Sequence, residues 1–468
     1  MERARICNDL GLFFEPGTGK TATSIHIIRE EFNSAKRVKK TLILAPLVVL
    51  QNWRREILMH SRIPDSKIVV LDVKGKKRLE KMEKATHDRL TDTHTLPCIF
   101  IVNYEFAQNP ELVKFFLDWG VEVLIADESH RLKSHKSIRA KNIAKISDVC
   151  SRRFILTGTS ITNSPMDIFF QFRILDGGET FGKNFYTFRS RYFYDKNAAW
   201  SGRPGHFPNF VPIESRFPEL HEKILKKAMI VKKSECLDLP PFVEKVVYVP
   251  LTAEQKRIYT ELKEDYLAWV DEGADGDGHV IVANQALTKM LRLQQVVGGF
   301  YKDSEGVVHR LKDPPKVKAL VDLLNGYTEE SKVIVWAAFV EEYEIIAEAL
   351  KKAKINHVFL TGQQTSAEKQ EAIDSFQNDP DVRVIVANRR AGGIGVNLTA
   401  AAVSIGYSRN FSLEDEVQAV ARNYRAGSEM HKSILKIDLV SPGTLDEEVA
   451  TALARKENVA RRILDVGL

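Results

Sequence analysis

The stretch LGLFFEPGTGKTATSIHIIREEF (10–32) decides how the rest of the chain is read. Its apolar run Leu10–Phe14 has the composition of a buried strand, and from Thr21 onward apolar residues recur at helical spacing. Between the two, Gly17-Thr18-Gly19-Lys20-Thr21 opens the helix, so that backbone N–H groups and the helix N-terminus face a phosphate. In such a loop Lys20 reaches the β- and γ-phosphates of a nucleotide and Thr21 holds Mg²⁺. The first glycine of the full G-x-x-x-x-G-K-[ST] pattern is Phe14 instead. Taken alone, the loop therefore also reads as a glycine turn with an exposed lysine.

Outward from this loop, apolar β-rich runs alternate with helical patterns in two separate regions, which predicts an α/β fold with two parallel sheets. The first region spans roughly 10–165, with strands expected at Thr41–Ala45, Cys98–Asn103, Val121–Ala126 and Arg153–Thr157, and helices at Thr21–Phe32 and Val49–His60. The second spans roughly 312–445, with strands at Lys332–Ala338, His357–Leu360, Val382–Ala387, Ala402–Tyr407 and Ser433–Leu439. Helices are expected there at 340–354 and 366–377, the latter capped by Thr365 and Glu368. Residues 166–311 read as helical insertions between the halves, with an aromatic and glycine-rich stretch at 192–210 and an acidic loop, DEGADGDGH, from Asp271. That loop is no EF-hand, because its third ligand position is Gly273 and its twelfth Val282.

Bulk composition narrows the field without deciding it. With 468 residues, 44% hydrophobic and 28% charged, the chain has room for two or three ordinary domains. No apolar run approaches a membrane span, and the N-terminal residues do not form a secretion signal. Cys7, Cys98, Cys150 and Cys236 lie far apart and form no C-x-x-C pair, which fits a reducing compartment and neither a disulfide framework nor a zinc site. The net charge of +6 is compatible with a polyanionic partner and diagnoses none.

The chemistry-bearing residues follow the expected strands. The run Val121–Ala126 ends in Asp127-Glu128-Ser129-His130, placing two carboxylates at the carboxyl edge of a sheet, where open α/β proteins bind ligands. Asp127 is expected to orient Mg²⁺, directly or through water, and Glu128 to activate the attacking water. His130 is expected to couple the γ-phosphate to the neighbouring Thr157-Gly158-Thr159, itself at a strand end. In the second half, Gln418, Arg422 and Arg425 have the i, i+4, i+7 spacing of one helix face, and two arginines there suit a transferring phosphoryl group. Upstream, Arg390-Ala-Gly-Gly-Ile-Gly-Val-Asn397 carries glycines that permit close backbone approach to a phosphate of ATP or of a nucleic-acid strand.

Taken in order, these segments resemble the Swi/Snf-type ATPases, a double-strand translocase branch of the DEAD/DEAH-box-like helicase superfamily two. The resemblance rests on ILAPLVVLQNWRREI (43–57), ADESHRLKS (126–134), FILTGTSITNSP (154–165), VIVWAAFVEE (333–342), AGGIGVNLTAA (391–401) and QAVARNYRAG (418–427). It extends to 169–192, 237–259 and 444–464, which are similar to the family's helical protrusion, lobe junction and C-terminal bracing helix. It implies a RecA-like lobe 1 at 1–165, protrusions and junction at 166–311, a RecA-like lobe 2 at 312–445, and a bracing helix at 446–468. It implies ATP with Mg²⁺ as cofactors, bound through Gly17, Thr18, Gly19, Lys20, Thr21, Gly395 and Gln418, with the ion on Thr21 and Asp127. Lys20, Asp127, Glu128, Arg422 and Arg425 are the implied catalytic set, and His130, Thr157, Gly158 and Thr159 the coupling set. Pro46, Thr159, Arg390, Gly392, Gly393 and Asn397 are the implied contacts to DNA.

Two departures qualify the resemblance. Relatives carry an adenine-reading glutamine about 25 residues before the loop lysine, whereas only 19 residues precede Lys20 and the first glutamine is Gln51. Either other residues hold the base, or nucleotide preference is loose, or the natural chain begins earlier; the last is the favoured reading. No chromodomain, bromodomain, zinc finger or basic tail is recognisable, so the expectation is a compact motor rather than a large chromatin remodeller.

The function expected from all this is ATP-dependent translocation on double-stranded DNA, remodelling forks and recombination junctions or displacing bound proteins. A strand-separating DNA or RNA helicase is the first alternative, with Trp200 and Phe207 as the candidate wedge. The second is the motor subunit of a restriction or defence assembly whose nuclease is a separate chain. The partners expected are double-stranded or branched DNA and, for the protein, a replication, recombination or nuclease factor; no membrane is expected, and the motor is expected to be monomeric. The setting expected is the cytoplasm of a bacterium or of a virus-infected cell, or the nucleus if the source is eukaryotic.

Overall fold

A computed structural model describes residues 2–35, 37–73, 75–87, 97–158, 161, 164–200, 208–271, 279–303, 305–390 and 396–464. The chain divides into two units, one made of 1–194, 210–237 and 458–468, the other of 195–209 and 238–457.

The first unit is built on β1 (Asp9–Phe14), β2 (Thr41–Leu44), β3 (Ile68–Leu71), β4 (Ile99–Val102), β5 (Val123–Asp127) and β6 (Arg152–Leu156). Two short strands, β7 (Phe193–Asp195) and β8 (Phe210–Pro212), pair as a separate ribbon, and β9 (Ala228–Val231) closes the sheet beside β1. The order is β3-β4-β2-β5-β6-β1-β9, with every pair parallel. Strands β1, β2, β4 and β5 are buried along their whole length, as a parallel sheet covered by helices on both faces requires. The core joins Phe13, Leu44, Phe100, Leu124 and Ile155 to Phe116, Phe169 and Phe172 from the covering helices. Each such side chain contributes on the order of 2 kcal/mol on burial.

The second unit is built on β10 (Phe242–Tyr248), then the ribbon of β11 (Phe300–Lys302) and β12 (Val308–Arg310), then β13 (Lys332–Trp336), β14 (His357–Leu360), β15 (Val384–Ala387), β16 (Ala401–Gly406) and β17 (Ile434–Val440). Its sheet runs β10-β17-β16-β13-β15-β14, again parallel throughout. The helix Ser366–Asn378 starts at the expected capping box, with Glu368 N–H donating to Thr365 Oγ1 at 3.3 Å and Thr365 N–H to Glu368 Oε2 at 2.7 Å. Among the described residues, no helix is long and apolar enough to cross a membrane.

Segment 166–311, read from sequence as helical, is shared between the units. The helices Ile168–Asp176, Phe185–Tyr192 and Phe217–Lys227 bring Phe169, Phe188, Leu220 and Ile224 into the first core. Tyr259, Leu293, Val296 and Val297 join Leu413, Leu445, Val449 and Leu453 in the second unit. The segment also supplies β9 to the first sheet and β10 to the second. Both strands are largely half-buried or exposed, so neither shows the buried apolar run that marks the central strands.

Candidate nucleotide site and its neighbours

Three adjacent strands, β5, β6 and β1, end side by side, and their carboxyl ends carry the three segments singled out in the first half. Register pairs Asp127 with Leu156 and Leu156 with Leu12, so the acidic pair, Thr157-Gly158 and the glycine loop leave the sheet at one level. Gly17 and Gly19 take φ of 92° and 89°, the left-handed region that glycine adopts without strain. The helix Lys20–Ala35 starts at the loop lysine. Its Lys20 Nζ donates to the carbonyl of Phe14 at 2.8 Å, curling the side chain back over the loop.

Gly158 lies so close to this loop that a β-carbon there would sit 2.8 Å from Pro16 Cδ and 3.2 Å from Lys20 Nζ. His130, fully buried, has its Nδ1 3.3 Å from Glu128 Oε2 and 3.3 Å from Thr157 Oγ1. Glu128 of the expected catalytic set and three of the residues expected to couple, His130, Thr157 and Gly158, thus form a continuous chain of contacts ending on the glycine loop. Thr159 lies outside the described residues.

Asp127 is buried at the end of β5, its Oδ2 accepting from the indole Nε1 of Trp53 at 2.9 Å and its backbone carbonyl accepting from the Tyr104 hydroxyl. Burial first, and then the neighbouring Glu128 charge, push its carboxyl up to about 6, against the opposing Trp53 hydrogen bond and the Lys20 charge. Glu128 itself stands at φ 54°, a conformation unfavourable for a residue with a β-carbon and concentrated at functional sites. Ser129 Oγ donates to Gln171 Oε1 at 2.8 Å, tying the turn to the helix Ile168–Asp176. Trp53 and Gln171 were not singled out from sequence. The signal for Trp53 was an indole on the apolar face of an amphipathic helix, since a buried indole N–H needs a partner.

A hydroxyl at Thr21, a carboxylate at Asp127 and a lysine whose charge already acts on that carboxylate fit a phosphate-bound Mg²⁺, a hard ion held by few protein oxygens. Among the described residues, no group of three or more His, Cys, Asp or Glu side chains stands together as a metal site.

In the second unit one expectation is corrected. The helix carrying Gln418 runs only Leu413–Val420, so Gln418, Arg422 and Arg425 do not share one helix face. Arg422 N–H bonds to the carbonyl of Ala419, three residues back, and the segment then turns through Tyr424 to Gly427, whose φ is 99°. Tightening of the last turn displaces both arginines from the α-helical spacing. Arg422 is buried, and burial lowers the pKa of Arg425. Arg390 is exposed and ion-paired to Asp415 at 2.9 Å.

Asn397 spends its Oδ1 on the N–H of Thr399 at 3.2 Å, while Gly392, Gly393 and Gly395 lie outside the described residues. Pro46 is buried, and the exposed residues of its turn are Leu47 and Val48. Of the other features noted in sequence, Phe207 and most of the acidic loop, 272–278, also lie outside them, as does the side chain of Trp200.

Two parallel-sheet units, the first with a phosphate loop beside an Asp-Glu pair, define a helicase-type ATPase. The chain belongs to the SNF2-related family: the SNF2-related domain matches residues 4–299 and the helicase conserved C-terminal domain residues 315–427. An uncharacterized ATP-dependent helicase of Mycoplasma genitalium is 25% identical over 453 residues, 96% of this chain and 40% of that protein. The mouse chromodomain-helicase-DNA-binding protein 1-like is 26% identical over 463 residues, 97% and 47% respectively. The DNA repair and recombination protein RDH54 of Saccharomyces cerevisiae is 23% identical over 443 residues, 91% and 45%. The chain spans less than half the length of each of these relatives.

Proposed function

We propose that the chain is a DNA-dependent ATPase that tracks along double-stranded DNA, remodelling branched DNA such as forks and recombination junctions or displacing bound proteins. The observation that carries the reading is the convergence of Lys20, Asp127, Glu128 and Gly158 at three adjacent strand ends in a member of the SNF2-related family. Bound ATP with Mg²⁺ supplies the phosphoanhydride that is cleaved. Lys20 and the loop N–H groups hold its phosphates, Thr21 and Asp127 hold the ion, and Glu128 takes the proton of the attacking water. His130 joins Glu128 to Thr157, so a change at the γ-phosphate reaches the Thr157–Thr159 segment assigned to the tracking strand. In the second unit, Arg422 and Arg425 are the fixed charges assigned to the transferring phosphoryl group. Two of the relatives bear names that refer to DNA binding or to DNA repair and recombination, which supports DNA as the partner.

The test is ATP hydrolysis by the purified chain, alone and with single-stranded DNA, linear duplex, a four-way junction or RNA, with Glu128→Gln as the hydrolysis-dead control. Stimulation by duplex above single strands and RNA is expected, and a higher rate on the junction marks branch remodelling. Stimulation chiefly by single strands or RNA overturns the reading in favour of a strand-separating helicase.

A further inference from the structure

The segment 390–400 of the second unit, assigned above to DNA, is held at its described end by a residue that no motif marks. Gln377 stands in the last turn of the helix Ser366–Asn378. Its Nε2 donates to the carbonyl of Asn397 at 3.0 Å, and its Oε1 accepts from the N–H of Ala400 at 3.0 Å. One carboxamide therefore satisfies a donor and an acceptor of the turn, as a neighbouring strand would. Other contacts to this turn come from the segment that carries the two arginines. Leu398 N–H donates to the carbonyl of Arg422 at 2.9 Å, Asn423 Nδ2 to that of Ala401 at 3.2 Å, and His431 Nε2 to that of Thr399 at 2.7 Å. Gly427 packs on Thr399, whose Oγ1 lies 3.5 Å from where a side chain on the glycine would begin.

We propose that Gln377 is a positioning residue for DNA: it clamps the turn Asn397–Ala400 on the side away from the Arg422 carbonyl, so that this turn meets DNA in one conformation. The inference rests on the reading above that this segment touches DNA. Gln377 is only half-buried, so water replaces its two hydrogen bonds when it is removed, and the fold tolerates the loss. What is lost is the preorganisation of the turn, which appears in DNA affinity rather than in stability. Gln377→Glu keeps the acceptor for Ala400 N–H and places a carboxylate against the Asn397 carbonyl, so it breaks half of the clamp without shortening the side chain.

The experiment measures, on the full chain, the duplex concentration that half-saturates ATPase stimulation, the maximal rate, and the melting temperature for Gln377→Ala, Gln377→Glu and Arg390→Ala. For Gln377→Ala the half-saturating concentration is expected to rise about tenfold, the cost of ordering the turn on binding, with the maximal rate and melting temperature nearly unchanged. Gln377→Glu is expected to move in the same direction. No rise with Gln377→Ala, or a change confined to melting temperature, overturns the inference. If Arg390→Ala raises the concentration while Gln377→Ala does not, the assignment of the segment to DNA stands and the clamp alone fails; no rise with either variant removes both.

Discussion

Trp53 holds Asp127. The indole Nε1 of Trp53, on the helix Leu50–His60, donates at 2.9 Å to Oδ2 of Asp127 at the end of β5, 74 residues further along the chain. The bond fixes the rotation of the carboxylate and stabilises its ionised form, while burial and Glu128 act the other way. Trp53→Phe keeps an aromatic, though smaller, ring in the core and removes the donor. It is expected to destabilise the first unit by about 1–3 kcal/mol, the cost of a buried acceptor left without its partner. ATPase activity at neutral pH should also fall, as more Asp127 is protonated. Urea unfolding and phosphate release measure the two effects, and a variant equal to the parent in both would show the bond to be incidental.

Gly158 touches the glycine loop so closely that alanine has no room. With the added carbon 2.8 Å from both Pro16 Cδ and Cγ, the strain falls on a rigid proline ring rather than on a flexible side chain. Gly158→Ala is therefore expected to displace the loop and weaken nucleotide binding by about tenfold, in line with 1–3 kcal/mol of overpacking. Titration with a fluorescent ATP analogue reads this directly, and unchanged affinity would rule out the tight contact.

Glu342, buried in the second unit, gives a pH signature. Its Oε2 accepts from Ala338 N–H at 3.0 Å, Phe339 N–H at 3.1 Å and Ser408 Oγ at 2.6 Å, yet burial outweighs these bonds and pushes the carboxyl up to about 7 from its ordinary 4.5. Below the unfolded value both states are protonated and folding carries no penalty. As pH rises from there to the folded value the unfolded chain ionises first, so stability falls by about 3 kcal/mol and then levels off. Glu342→Gln removes this dependence. Its stability relative to the parent is expected to improve between pH 5 and pH 8, and a difference constant across that range would refute the assignment.

Glu416 organises a buried ionic cluster beneath the helix that bears Gln418. It lies 3.1 Å from Arg389 Nε and 2.9 Å from Lys436 Nζ, and Lys436 and Arg409 both reach Asp438. Burial raises the Glu416 carboxyl, but the charges of Arg389 and then Lys436 prevail and hold it well below the usual carboxylate range. Its stabilising effect is accordingly present above the unfolded value and is lost only in strong acid, as pH falls through the folded one. Glu416→Gln leaves two buried cations short of a counter-charge and is expected to cost about 3–5 kcal/mol. Denaturant unfolding at neutral pH checks it, and a loss under about 1 kcal/mol would show the cluster to be compensated from elsewhere.

The legible parts of this protein are those written in consecutive residues. A strand ending in Asp127-Glu128, a loop ending in Gly19-Lys20-Thr21, and the Thr365–Glu368 cap depend on spacing within one element, where chain connectivity already brings the groups together. The same is true of the buried apolar runs, so both parallel sheets could be expected from pattern alone. The edge contributions of β9 and β10 could not, because their alternation is diluted by exposure, and neither could the end of the Gln418 helix at Val420, which hydrogen bonds to Ala419 and Val417 decide.

The sequence by itself thus determined the two α/β halves and the residue types the chemistry needs. The tertiary structure alone decided which of them meet: Trp53 with Asp127, Gly158 with Pro16, Gln377 with Asn397 and Ala400. Those meetings follow from a strand order in which β5, β6 and β1 are neighbours, and from a turn folded against a helix end. Such order is set by the packing of whole layers, a collective property that no local spacing encodes.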